Sequence, residues 1–288
     1  MKFDDFLNQA WNDHAAQPEK VSKTCVDAIK LIESDEQIPQ LAQIITHVFG
    51  EHLGKWDEGI EALQKLRQIP ALKISSESEL AILRYVRCLE LASGCDSSMD
   101  NFSHSDQVRI FAVAASALSG QNQIERAHKF FLRAVDCAQT SVSKDDVANR
   151  ALAMTCNNLA VALEEKQNRS AFETDLMILA AKAARKFWEL SGTWLEVERA
   201  EYRLSQSYLK ANDLIQSLEH AQLCLKIVEE NKALPLEFFF AYEALALVEK
   251  ARVNTTGYST AVDQMKSYFE KLSEEDKSWC SGTLKKLS

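Results

Sequence analysis

Two stretches of the sequence repeat one pattern of small and apolar residues at helical spacing. They run from Ile124 to Ala134 and from Leu214 to Cys224, and each begins two positions after an Asn. In each stretch a small residue, Ala127 or Ser217, precedes further small or apolar residues four and seven positions later. Such spacing is typical of one face of an α-helix. The repetition predicts an array of helical hairpins.

A second recurring feature is an apolar residue followed by a small one, placed in the first helix of each predicted hairpin. The small members of these pairs are 45, 45 and 41 residues apart along the chain. A small residue at the same place in every unit indicates that two helices cross there at close range, because a larger side chain would push their backbones apart. The four pairs are Ala114-Ala115, Leu159-Ala160, Leu204-Ser205 and Leu245-Ala246.

The composition favours an all-α fold. The chain has 288 residues, of which only eight are Gly and four are Pro, and it is rich in good helix formers. Pro and Gly fall between the periodic stretches, where they would begin or end helices. The least helical stretch, 95–104, is predicted to be a loop. The predicted helices cover about 3–16, 20–33, 39–53, 57–68, 77–93, 105–119, 123–139, 146–166, 171–190, 194–210, 213–231, 235–253, 258–272 and 274–286.

These motifs resemble the tetratricopeptide repeat (TPR) family, in which antiparallel helix pairs stack into a right-handed superhelix. The resemblance runs from Pro39 to Tyr268 and implies an α-α solenoid, with the number of repeats, four to six, left open. The period is longer than the family's, and the aromatic residue near the start of each first helix is kept only in part. The matching residues are Gly54, Trp56 and Gly59; Ala127, Phe131 and Ala134; and Asn157-Asn158-Leu159-Ala160.

Three segments are expected along the chain. Residues 39–272 would form the repeat array. Residues 1–38 would form an N-terminal helical cap, since Phe3, Phe6 and Trp11 fall on one side of an amphipathic helix. Residues 273–288 would cap the other end, because solenoids require end units with polar outer faces. A dimer contact is the alternative for the N-terminal helix.

The family resemblance also implies a binding face. In such arrays the first helix of each hairpin lines a concave groove, and residues three or four positions from the small site point into it. Asn157 is similar to the Asn with which family members hold a peptide backbone, although the full Lys and Asn set of their carboxylate clamp is not in register here. The predicted groove residues are Arg109, Ser116, Asn157, Val161, Arg199, Tyr202, Gln206, Lys210 and Glu243.

The resulting hypothesis is a non-enzymatic scaffold that binds a peptide or a partner helix in this groove. Two alternatives stay open. One is a regulatory protein that senses a small ligand or peptide. The other is a structural subunit that forms a homo-oligomer through Phe238–Phe240 and the N-terminal helix.

Charge, apolar runs and cysteine usage predict the compartment. The net charge of −9 argues against binding nucleic acid or an anionic membrane surface, and no run of eighteen apolar residues is present. The N-terminus has no basic region followed by an apolar run, which predicts no signal peptide. Seven Cys without a Cys-x-x-Cys pair predict buried, reduced thiols, with Cys95 and Cys280 as the exposed ones, and hence a cytoplasmic protein.

Catalytic and metal motifs are not recognised in the sequence. His47 and His52 are five positions apart, which separates them by about 140° around an α-helix and argues against a shared metal ion. The chain has no Gly-x-Ser-x-Gly motif and no phosphate-binding loop. We therefore expect no enzymatic activity, no metal and no cofactor.

Overall fold

The computed structural model describes residues 1–95 and 98–287, and within these residues the regular elements are helical. The described residues contain fourteen α-helices and no β-strand, which confirms the predicted all-α class. The α-helices are α1 (Phe3–Asp13), α2 (Pro18–Asp27), α3 (Gln37–Thr46), α4 (Trp56–Leu66), α5 (Glu77–Ser93), α6 (His104–Gly120), α7 (Ile124–Ser141), α8 (Val147–Glu165), α9 (Ala171–Ser191), α10 (Trp194–Lys210), α11 (Leu214–Glu230), α12 (Pro235–Ala251), α13 (Thr255–Phe269) and α14 (Glu274–Leu287).

The structure corrects two of the fourteen predicted helices. The second ends as a 3-10 turn, Ala28–Leu31, and the third ends as a π-helical turn, His47–His52. The loop predicted at 95–104 is present between α5 and α6, and it is preceded by Gly94, whose φ of 100° lies in the left-handed region that Gly adopts at helix ends. Residues 96 and 97 of that loop lie outside the described residues.

The chain forms two compact units. The first, Met1–Thr155, contains α1 to α7 and the start of α8. Its core is built from α3, α4 and α5, where Ile38, Leu41 and Leu89 are fully buried. Phe3 and Phe6 of α1 join this core, which confirms the predicted apolar face of the N-terminal helix.

The second unit, Cys156–Ser288, contains the end of α8 and α9 to α14. Each of its helices from α9 to α13 packs against the next one in the chain, and α12 also contacts α10 and α14. This consecutive packing of neighbouring helices is the arrangement that the repeated hairpin pattern predicts. The predicted right-handed twist and the predicted borders at residues 38 and 272 stay predictions.

The small residues of the repeat mark the close helix crossings. Ser217 of α11 donates a hydrogen bond from its Oγ to the main-chain oxygen of Ser205 in α10, at 2.9 Å, and both residues are fully buried. The matching positions in α6 and α7, Ala115 and Ala127, are fully buried too. The predicted close crossing of α10 and α11 is therefore confirmed.

Tight turns join the helices of these hairpins. Asn122, between α6 and α7, has a φ of 58°, and Asn212, between α10 and α11, has a φ of 60°. Asn tolerates this left-handed conformation because its short polar side chain bonds locally. The Asn that precedes each repeated stretch in the sequence is thus the residue that reverses the chain.

The C-terminal helices supply the last correction. Cys280 is buried against the cluster of Phe239 and Met265, so the prediction of an exposed thiol there was wrong, whereas Cys95 is exposed as predicted. Phe239 is fully buried, and the ring of Phe238 stacks on Tyr268 with centroids 4.4 Å apart. Among the described residues, none of the helices has the length and apolar character needed to cross a bilayer.

Candidate functional site

Polar side chains connect the first helices of consecutive hairpins in the second unit. We define the inner row as residues 156–165 of α8 together with α10 and α12. In this row Ser207 of α10 donates a 2.6 Å hydrogen bond to Glu164 of α8, and Arg203 forms an ion pair with the same carboxylate at 2.5 Å. Because Glu164 is buried, its pKa is raised by desolvation, and the Arg203 and Ser207 contacts act against that rise.

Polar contacts also join α10 to α12 along the inner row. Tyr202 donates a hydrogen bond from its hydroxyl group to Glu243 at 3.0 Å, and Arg199 forms an ion pair with Glu237 at 2.7 Å. Burial raises the pKa of both Tyr202 and Glu243. The structure thus brings together two of the predicted groove residues, Tyr202 and Glu243, but it joins them to each other. Arg199 is also engaged, although 59% of its side chain is exposed.

Four predicted residues of the inner row lie outside these bonds between helices. Gln206 is 9% exposed, and its side-chain Nε2 is buried without a hydrogen-bond partner among the described residues. Lys210 is exposed at the end of α10, Val161 is half-buried, and Asn157 donates a 3.4 Å hydrogen bond to the neighbouring Asn158 side chain. Among the described residues, none of these four side chains forms a hydrogen bond or ion pair with another helix.

The remaining predicted residues, Arg109 and Ser116, lie on α6 of the first unit. The guanidinium group of Arg109 is 3.4 Å from the carboxylate of Glu77, which also pairs with Arg84. Ser116 is half-buried. Arg109 therefore holds α6 against the start of α5, a role that the groove prediction did not include.

The sequence reasoning missed a buried acidic cluster on the other side of α10. Glu201 accepts hydrogen bonds from Arg185 of α9 and His220 of α11, both at 2.6 Å, and it is 4% exposed. Its pKa is lowered: burial alone would raise it, but the contacts with His220 and Arg185 outweigh that effect. A signal was present in the sequence, since the resemblance described above implies an aromatic residue at this position of a first helix, where the chain has Glu201.

Glu198 is the second member of this cluster. It is 1% exposed, and Cys224 donates a 2.8 Å hydrogen bond from its thiol group to Oε1 of Glu198. Burial, together with the charge of Glu237, raises the pKa of Glu198 to about 7. The protonated carboxylic acid is therefore favoured at this position below neutral pH.

A cluster of three histidines in the first unit contradicts the reasoning that separated His47 from His52. The Nε2 atoms of His47 and His52 are 3.1 Å apart. The ring centroid of His14 lies 4.9 Å from that of His47 and 5.2 Å from that of His52. The estimate of 140° assumed an α-helix. In the π-helical turn His47–His52, residues five apart are hydrogen-bonded neighbours and share one side.

A π-helical turn contains one residue more than an α-helical turn, and contacts around His47–His52 stabilise it. The main-chain oxygen of Gly50 accepts a 3.3 Å hydrogen bond from the Trp56 indole, and that of Glu51 accepts one of 2.8 Å from Gln121. A Cβ on Gly50 would lie 2.9 Å from a methyl group of Leu89, so a larger residue at this position would require that side chain to shift. Gly50 and Glu51 lie in the last turn of this helical segment, where carbonyl groups have no partner within the helix, and the two side chains satisfy them.

A further concave feature lies away from the predicted residues. A cavity of about 740 Å³ in the first unit is open to solvent and is lined by apolar side chains that include Ile29, Ile32, Ile69 and Pro70. Its lining contains none of the nine residues predicted for the groove.

Comparison with known proteins adds no family. The chain matches no protein-family model, and no curated protein is similar to it.

Proposed function

We propose that the chain is a TPR-like, non-enzymatic interaction protein that binds a peptide or a partner helix along the inner row. The sequence resemblance and the consecutive packing of helix hairpins support the TPR-like class. Repeat arrays of this kind bind extended or helical segments through contacts that are spread over several units.

The observation that carries this proposal is Nε2 of Gln206, which is buried and has no hydrogen-bond partner in the described part of the chain. A buried polar group without a hydrogen bond is destabilising by about 1–3 kcal/mol. Because Nε2 of Gln206 is buried, its side chain must turn toward the inner row, where a ligand's carbonyl or carboxylate oxygen would accept its hydrogen bond and remove that penalty on binding. A peptide backbone supplies such oxygens at regular spacing.

The neighbours of Gln206 indicate what kind of segment would bind. Lys210 lies four positions further along α10, hence on the same helix face, and it offers a cation. Asn157 offers an amide and Val161 an apolar surface on α8. Together these side chains favour a peptide that combines free carbonyl groups with an acidic side chain.

The seven cysteines support a cytoplasmic location within this proposal. Five of them, Cys25, Cys88, Cys156, Cys224 and Cys280, are buried thiols. Burial raises the pKa of Cys25 to about 12, which disfavours the thiolate that takes part in oxidation. Buried thiols of this kind are typical of proteins from a reducing compartment.

The test compares three forms of the full chain in affinity capture from the native host, with mass spectrometry of the captured proteins. The forms are wild type, the inner-row double variant Gln206→Ala/Lys210→Ala, and the matched control Gln222→Ala/Lys226→Ala on α11. Gln222 and Lys226 are exposed and have the same residue types and the same spacing.

We expect partners that wild type and the α11 variant retain and that the inner-row variant loses. Circular dichroism would verify that all three forms are equally helical. Partners that all three capture equally would contradict binding along the inner row. If small molecules raised the melting temperature while no protein was captured, the sensor alternative would replace the scaffold.

A further inference from the structure

The histidine cluster, defined as His14, His47 and His52, brings three imidazoles from two distant parts of the chain to one point. His14 follows the end of α1, whereas the other two lie on the π-helical turn after α3. One ring nitrogen from each residue lies within 4.8 Å of the other two, and the three side chains are half-buried. Convergent imidazole nitrogens are the commonest protein ligands of zinc and similar divalent metals.

Hydrogen bonds at the outer nitrogens orient the inner ones. Nδ1 of His14 bonds to the main-chain oxygen of Trp11, and Nδ1 of His47 is 3.1 Å from the carboxylate of Glu51. In both rings the proton on Nδ1 is thereby engaged, which leaves Nε2 with a lone pair. In His47 that lone pair accepts a 3.1 Å hydrogen bond from Nε2 of His52, and a metal ion bound by both nitrogens would replace this bond. A carboxylate or carbonyl partner behind each metal-binding histidine is the usual arrangement in metal sites, because it fixes the tautomer and the ring orientation.

The spacing of the nitrogens suits a tetrahedral ion. Zinc–nitrogen bonds of about 2.0–2.1 Å at tetrahedral angles place two ligand atoms roughly 3.3 Å apart. The Nε2 atoms of His47 and His52 are already 3.1 Å apart. His14 would need to approach by about 1.5 Å at most, since its ligand atom is within 4.8 Å of the others. Rotation of one side chain beside a helix end supplies a shift of this size.

The π-helical turn is a second, independent indication. Helical segments with an extra residue occur frequently at functional sites. Here the extra residue is what moves His52 to the same side as His47, and the Gly50 approach to α5 and the Trp56 and Gln121 hydrogen bonds hold it in place. A regular α-helix would separate the two rings by about 140°.

We propose that His14, His47 and His52 bind one divalent transition-metal ion, with Zn²⁺ as the expected metal and Glu51 as the positioning residue of His47. Three protein ligands leave the fourth coordination position for water or an external ligand. The ion would tie the end of α1 to the turn after α3, which are far apart in sequence. Metal binding would therefore stabilise the first unit as well as occupy the site.

The binding test uses the full chain without a polyhistidine tag, after removal of metal with a chelator. Zn²⁺ titrated into wild-type protein in a calorimeter should bind with a stoichiometry of one, and saturating Zn²⁺ should raise the melting temperature. His14→Gln, His47→Gln and His52→Gln should each lower the affinity by about 100-fold or more. Glu51→Gln should lower it by about 10–100-fold, the range known for partners behind metal ligands.

The matched control is His104→Gln, which changes an exposed histidine outside the cluster and should bind Zn²⁺ as wild type does. Equal binding by wild type and the three ligand variants would overturn the proposal, and so would wild type that binds no stoichiometric Zn²⁺. X-ray absorption of the zinc-loaded wild-type protein gives a result that does not depend on variants. Three imidazole ligands support the site, and fewer than three overturn it.

Discussion

The α10–α11 hairpin and the π-helical turn His47–His52 show opposite ways of bringing two helices close together. In the hairpin every residue keeps the α-helical period, and buried Ser205 and Ser217 meet where the helices cross. In the turn the period is broken by one residue, and Gly50 and Gly120 provide the space. A regular repeat therefore predicts its own contacts, whereas a break in the period creates contacts that the repeat does not encode.

The two regions also satisfy their main-chain groups differently. At the crossing of α10 and α11 one side chain, that of Ser217, donates to the main-chain oxygen of Ser205, which lies inside a helix of regular period. At the turn, the side chains of Trp56 and Gln121 are committed to main-chain oxygens of Gly50 and Glu51. The hairpin therefore depends on residue size at the crossing, and the turn depends on a few specific hydrogen bonds and on the two glycines.

Enlarging the hairpin crossing is the change with the largest expected effect. Ser217→Leu places a bulky side chain where two fully buried serines now touch, and we expect a loss of about 3 kcal/mol in the free energy of unfolding, the upper part of the range for overpacked cores. Urea unfolding monitored by circular dichroism measures it.

The control for this change is Ser217→Ala, which introduces the residue type that the other hairpin has at the matching position, Ala127. It should lower the free energy of unfolding by only about 1 kcal/mol, the contribution of the hydroxyl hydrogen bond to Ser205. If Leu and Ala were equally tolerated, the small residue would not be what sets the helix spacing.

The sequence predicted the hairpin well because residue size at the crossing sets the spacing of its helices. The positions of Asn212, Ser205 and Ser217 report local conformation and size, and both are read directly from a periodic pattern. The fold class, the helix boundaries and the close crossing followed from such residues. Contacts set by long side chains did not follow, because the partners of Tyr202 and Glu201 depend on how neighbouring hairpins pack.

The histidine cluster was the other part that the sequence did not predict. The angle between His47 and His52 was calculated for an α-helix, and nothing in the local pattern of residues signals a π-helical turn. The cause lies in side chains far along the chain, such as Gln121 of the segment after α6. For the candidate groove, the choice of helices stays a prediction, while the structure assigns Arg199, Tyr202 and Glu243 to bonds within the unit.

Substitution of Gly120 tests the close approach at the π-helical turn, as the Ser217 variants test the close crossing of the hairpin. A Cβ at this position would lie 2.3 Å from the main-chain oxygen of Glu51, which cannot move without disturbing the π-helical turn. Gly120→Ala should therefore lower the free energy of unfolding by about 2 kcal/mol. It should also reduce Zn²⁺ affinity in the calorimeter, since His47 and His52 flank Glu51.

Gly282 offers the matched control, because it lies within α14 and a Cβ there would meet nothing within 4 Å. Gly282→Ala should raise the free energy of unfolding by about 0.5–1 kcal/mol through its better helix propensity. A Gly120→Ala protein as stable as wild type would show that the turn does not depend on this close approach.

The smallest expected effect concerns Glu198 of α10. Its titration should make the contribution of the hairpin to the free energy of unfolding depend on pH. The folded-state pKa of Glu198 is raised from 4.5 to about 7 by burial beside Glu237. Its favourable contribution is therefore fully present below about pH 4.5 and is lost as pH rises through 7. The full shift corresponds to roughly 3 kcal/mol, and we expect about half of it because relaxation of the surrounding side chains reduces the effect.

Glu198→Gln keeps the shape of the side chain and removes its titration. Between pH 5 and pH 8 the wild-type protein should therefore lose about 1–2 kcal/mol more of its free energy of unfolding than the variant does. Glu230→Gln, which changes a carboxylate that is 61% exposed, should follow the wild-type pH profile. Urea unfolding at the two pH values measures all three proteins. Parallel profiles for wild type and Glu198→Gln would mean that Glu198 is ionised in the folded protein across this range, and the hairpin would then hold a buried charge that its size-based packing does not predict.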